Sequence, residues 1–124
     1  MNHRGTESTE KMERKIAKVD ETFLGVEDHG HLTFSLKMNF GGTSQCIGMY
    51  SIDRYDPEKK SRIGTAEGAE LIRRILLAFG VKSWEELTGR TVYVLFDERR
   101  FPVGIEPLPT ERGQKLIFSD VMKS

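Results

Sequence analysis

Residues 31–40, HLTFSLKMNF, alternate without a break, and Gly41-Gly42 follows them directly. Leu32, Phe34, Leu36, Met38 and Phe40 fall on one side of an extended chain, and Thr33, Ser35, Lys37 and Asn39 on the other. A period of two over this length fits a strand with one buried face and no helix. Two adjacent glycines tolerate positive φ, so they suit a tight hairpin turn. Residues 43–52, TSQCIGMYSI, then read as the return strand. On strict alternation Cys46, Gly48, Tyr50 and Ile52 share one face and Thr43, Gln45, Ile47, Met49 and Ser51 the other. A glycine inside a strand points to a bulge, or to close approach of a ligand or a second backbone.

The rest of the chain must cover the apolar face of this hairpin. Upstream, Ala17 and Val19 share one parity and Leu24 and Val26 the opposite one. A strand that changes parity carries a bulge, here near Asp20–Thr22. Residues 53–64 read as a charged loop broken at Pro57. Thr65 to Phe79 is the one long helix. Its N-cap is Thr65, its first turn holds Glu67, and Leu71, Ile72, Ile75, Leu76 and Phe79 form an apolar stripe that ends before Gly80. Ser83-Trp84-Glu85-Glu86 has capping-box spacing. Residues 90–97 form a strong strand, 101–105 a shorter one, and 114–118 a final edge strand able to pair two copies as a homodimer. The expected fold is α+β, in β-β-β-α-α-β-β-β order. A curled, mostly antiparallel sheet of five to six strands packs against one main helix. Residues 1–13 are expected to be a polar tail and residues 14–124 a single domain.

Composition narrows the function classes. Nineteen basic and nineteen acidic residues balance across 124 positions. That removes the surplus of positive charge on which a generally basic nucleic-acid binder depends. The single cysteine, Cys46, forbids an internal disulfide and any multi-cysteine zinc site, and suits a reducing compartment. No window approaches the ~18 apolar residues of a membrane span, and the N-terminus lacks the apolar run of a secretory signal. A soluble, cytoplasmic protein is expected.

No residue set carries a catalytic signature. His29 and His31, with Glu27, Asp28 and Cys46, are suitable metal ligands by type, but a solvated turn accounts for them equally well. Cys46 lacks a matched base and reads more simply as a core thiol. Asp53 and Asp56 flank Arg54 and Tyr55, a cluster able to hold a cation or a ligand hydroxyl. Gly41 and Gly42 open a donor-rich turn but lead into a strand, unlike a phosphate loop. Arg73 and Arg74 lie on the helix. Tyr50 and Tyr55 would serve as stacking platforms if exposed. The candidate binding residues are therefore Tyr50, Asp53, Arg54, Tyr55, Gly41, Gly42, Arg73 and Arg74. No catalytic residue, metal ligand or cofactor is assigned.

Five features recur together: the turn Glu27 to Gly30, the hairpin Gly41-Gly42, Tyr50 with Asp53, the helix start Gly64 to Ala66, and the link Ser83 to Gly89. From Lys15 to Asp97 the chain resembles a group of small proteins encoded by bacteriophages and prophages. It departs from that group at Cys46, Ile47 and Met49, where more glycine or aromatic residues are expected. The resemblance implies a mobile-element setting in a bacterial cytoplasm, and no particular activity. In that setting the expected role is binding without catalysis, as an inhibitor of a host protein or of a defence system such as CRISPR. The alternatives are a nucleotide or single-stranded nucleic-acid accessory protein, and a metal-dependent hydrolase using Asp53, Asp56 or the His29/His31 turn.

Overall fold

The computed structural model describes residues 12–122. The tail expected at 1–13 lies outside these, apart from Met12 and Glu13, and Glu13 already begins a strand. The elements run β1 Glu13–Val26, β2 Leu32–Asn39, β3 Ser44–Ser51, β4 Asp53–Asp56, β5 Ser61–Gly64, α1 Ala66–Phe79, β6 Thr91–Phe96, β7 Pro102–Glu106 and β8 Leu116–Ile117. Short 3₁₀ turns occupy Trp84–Glu86 and Phe118–Asp120. The architecture is α+β: an antiparallel six-stranded sheet ordered β3-β2-β1-β6-β7-β8, a separate two-stranded ribbon β4-β5, and one main helix. Among the described residues no helix is long and apolar enough to cross a membrane.

β1 is the strand the two halves of the sheet share. Residues Glu13 to Lys18 pair with β6, and Lys18 to Val26 pair with β2. Only Lys18 appears in both ladders, so the halves are staggered along β1 and the sheet coils around it. The bulge that the parity switch predicts falls between Val19 and Glu21. It lets Ala17 and Val19 face the core while Leu24 and Val26, past the bulge, lie across from Phe34 and Leu32.

The core gathers Phe34, Leu36 and Met38 of β2, Val92 and Val94 of β6, and Ile105 and Leu116 of the last two strands. Leu71, Ile75, Ala78 and Phe79 of α1 pack onto them. Helix and caps follow the sequence closely. The Thr65 hydroxyl accepts the Gly68 N–H at 2.9 Å, and Gly80 takes a left-handed conformation at the C-terminus. Gly68 is required by packing, because a Cβ there would run into the Ile52 carbonyl oxygen.

Four expectations need correction. The charged segment 53–64 forms the ribbon β4-β5, whose strands carry too little apolar alternation to be read as strands. Cys46 is exposed, since Ile47 takes the core position in β3. The reciprocal capping box does not form. Glu86 accepts the Lys82 N–H at 3.1 Å and Ser83 makes no side-chain cap, because the turn it opens is a three-residue 3₁₀ turn. The edge strand expected at 114–118 is shortened to Leu116–Ile117, and the chain after it forms the last 3₁₀ turn and buries Val121.

Candidate functional site

The geometry at the far end of β3 starts with Gly48 and Met49. Both have positive φ, 96° and 65°, and the β2–β3 register shifts there. This bulge resets the side-chain parity of β3. Ile47 faces the core before it, and Tyr50 and Ile52 turn inward after it. The Gly48 position presses on the Phe34 ring so closely that no Cβ fits. The glycine therefore marks both a bulge and a close approach, with a side chain of the same protein as the neighbour.

Tyr50 sits against the core. Its ring stacks near Phe34 at 6.5 Å and meets Phe118 edge-on at 5.5 Å. Burial pushes its hydroxyl above the usual tyrosine range. Asp53 is a staple. The Arg62 guanidinium donates to both of its carboxylate oxygens, at 2.8 and 3.0 Å, and the Leu32 N–H donates to Oδ2 at 3.1 Å. These donors hold the carboxyl below its ordinary range, the Arg62 hydrogen bonds most strongly. The pair ties the ribbon to the start of β2. Asp56 accepts the Glu58 N–H and shapes the ribbon turn. Neither aspartate is presented to a ligand as a cluster.

The remaining candidates are scattered. Arg54 and Tyr55 are exposed on β4. Gly41 and Gly42 form the hairpin turn at the opposite end of β3, with the Gly41 N–H held by Asn39 Oδ1 at 2.8 Å. Arg73 pairs with Glu70 on the exposed helix face, and Arg74 is half-buried nearby. No single site brings these residues together. Among the described residues no group of three or more His, Cys, Asp or Glu is placed to hold a metal.

A groove of about 480 Å³ lies beside the bulge, on the sheet face away from the core. Phe23, across the ladder from Ser35, and Met49 supply its apolar walls; they are 43% and 61% exposed. Thr33, Ser35 and Ser51 line its floor, and Glu27, His29 and His31 close one end. That end is tied together by hydrogen bonds. The Glu27 carboxylate accepts the N–H groups of His29 and His31 at 2.6 and 3.0 Å. Those bonds, the His31 one foremost, keep it below the ordinary glutamate range. His31 Nδ1 lies 2.7 Å from Ser51 Oγ, bridging the turn to β3. The groove joins β1 to β3 across β2, so no local motif announces it. The one available signal was that Phe23 has the opposite parity to Leu24 and Val26, and so is apolar on a polar face.

The arrangement offers two accessible apolar side chains with a ring of fixed hydroxyl, carboxylate and imidazole groups. Its carboxylate, Glu27, is held ionised by hydrogen bonds, which suits recognition better than proton transfer at neutral pH. No family model, no curated protein and no solved structure matches the chain.

Proposed function

We propose that this is a non-enzymatic binding protein and that it meets a partner protein at the Phe23/Met49 groove. One observation carries the reading. The bulge displays Met49, a large apolar side chain, in a left-handed conformation beside a second exposed apolar residue. Left-handed backbone costs roughly 1–2 kcal/mol for a residue with a Cβ. Backbone strain of this kind collects at functional surfaces. Methionine and phenylalanine adapt well to an inserted apolar group, and the polar rim supplies orientation. The partner's matching feature is a single apolar side chain flanked by hydrogen-bonding groups.

The resemblance to phage and prophage proteins extends this reading to an inhibitor that occupies a host protein, a defence complex included. The test uses tagged wild-type protein and a Phe23→Ser/Met49→Ser variant as baits in host lysate, with phage plating as the second readout. The reading expects a stable partner with the wild type and its loss with the variant. Equal capture by both would remove the groove from the argument.

A second reading rests on a different pocket, of about 240 Å³, at the hairpin end of the sheet. The Lys15 ammonium sits 5.4 Å from the centroid of the Phe96 ring there, and Arg100, the half-buried Phe40, Thr43, Gln45 and Glu13 complete the lining. Cations beside an aromatic ring suit a nucleotide or single-stranded nucleic acid. Salt-dependent anisotropy with a labelled oligonucleotide tests it, and binding unchanged in Lys15→Ala/Arg100→Ala counts against it.

A further inference from the structure

The outer edge of β3 is open. Among the described residues no strand pairs with it, whereas the opposite edge of the sheet is β8, only two residues long. Natural sheets guard a long edge with charge, proline or brevity. β3 has eight residues, SQCIGMYS, with no charge and no proline. Its one irregularity is the Gly48–Met49 bulge, which ends regular pairing and leaves Ser44 to Ile47 as the usable stretch.

The hydrogen-bond alternation shows which groups are available. The Phe40 N–H donates to the Thr43 carbonyl at 2.8 Å. Antiparallel pairs alternate, so Thr43, Gln45 and Ile47 turn their backbone groups to β2, and Ser44 and Cys46 turn theirs outward. We propose that this edge pairs antiparallel with the same edge of a second copy, about a two-fold axis at Gln45. That register sets Ser44 opposite Cys46 of the second copy and Cys46 opposite its Ser44. All four outward N–H groups then meet outward carbonyls. At the axis the two Gln45 side chains face each other, and an amide is complementary to itself because it both donates and accepts. Absence of charge on β3 leaves no like-charge pair across the seam. An acidic or basic foreign strand would find no matching charge there.

The pairing would extend the six strands into one continuous sheet of two copies. Both Phe23/Met49 grooves would then lie on the same face, although the dimer does not depend on the groove having a partner. A seam of one short strand pair is at the low end of interface size, so the dimer is expected to depend on concentration.

Sedimentation equilibrium from micromolar to millimolar protein tests it, together with amide hydrogen exchange by NMR. The expected result is a rise from the 14.2 kDa chain mass towards twice that value. Over the same range exchange at Ser44 and Cys46 slows, while Gln45 and Ile47 are slow throughout. Gln45→Lys places two like charges at the axis, and Cys46→Pro removes an outward donor from each copy without touching the β2 ladder. Each should weaken the dimer about tenfold or more. If Cys46→Pro unfolds, Gln45→Lys, at an exposed position, decides alone. A 14.2 kDa species throughout the range overturns the proposal, as does a dimer that both variants leave intact or that lacks the alternating exchange pattern.

Discussion

Replacing Gly48 with alanine tests the account of the β3 bulge most directly. At φ 96° an L-residue costs roughly 1–2 kcal/mol. The new Cβ would also lie 2.8 Å from Cζ of Phe34. That ring cannot withdraw easily: it is fully buried, with Trp84 edge-on at 6.1 Å and Tyr50 at 6.5 Å. Overpacking of this kind costs about 1–3 kcal/mol. The stiffer unfolded chain returns ~0.4–1 kcal/mol. The net loss should be about 1–4.5 kcal/mol, set against the ~5–15 kcal/mol that holds a domain together. Urea unfolding measures it, followed by the fluorescence of Trp84, the one tryptophan, and by circular dichroism. Gly41→Ala is the control. Its φ is 90° and open space surrounds it, so it carries the backbone cost without the clash. The difference between the two variants isolates the contact with Phe34. If Gly48→Ala costs no more than Gly41→Ala, the claim that the bulge is locked against Phe34 is wrong.

Gly68→Ala should destabilise by about 1–3 kcal/mol in the same assay, although alanine normally improves a helix interior, because its Cβ meets the Ile52 carbonyl. Met49→Gly should leave stability within about 1 kcal/mol of wild type, since relief of the left-handed strain offsets the added chain freedom, yet partner capture should fall. Asp53 has a lowered folded-state pKa, so its contribution is complete above the ordinary carboxylate range and is lost as pH falls through the folded value. Asp53→Asn should therefore lower the melting temperature at pH 7 and flatten the decline of stability below about pH 4, measured by thermal scans across pH.

The parts of the fold legible in the sequence are those set by neighbouring residues. The alternation of Leu32 to Phe40 gives β2, the parity switch after Val19 gives the β1 bulge, and Thr65 with Gly80 brackets α1. What sequence alone missed depends on distant partners. Strict alternation put Cys46 in the core and Ile47 outside, because nothing local shows that a Gly-Met bulge resets the parity. The ribbon 53–64 is held by the Asp53–Arg62 pair rather than by apolar alternation, so it looked like a loop. The candidate site fared worse for the same reason. Polar residues near a strand end attract attention, yet Asp53 and Asp56 are spent on ribbon geometry. Phe23 and Met49 lie 26 positions apart and meet only when β2 separates their strands.

That relocation bears on why Met49 is what it is. The fold needs the bulge: it turns Tyr50 and Ile52 into the core, and Ile52 then offers its carbonyl to the Thr65 hydroxyl at the start of α1, at 3.2 Å. One irregularity thus sets the end of β3, the root of the ribbon and the entry of the helix. The bulge needs glycine at 48, where Phe34 leaves no room. At 49 it needs only a residue that accepts positive φ, and glycine or asparagine does so at lower cost than methionine. Core packing does not require methionine there either, since the side chain points away from the core and is mostly exposed. Folding therefore accounts for the position and leaves the residue type open. The choice of a large, strained, exposed apolar side chain beside Phe23 is what contact with another surface explains. Met49→Asn makes the distinction measurable: stability at or above wild type with capture lost would place the value of this methionine at the interface, and lower stability with capture retained would return it to the fold.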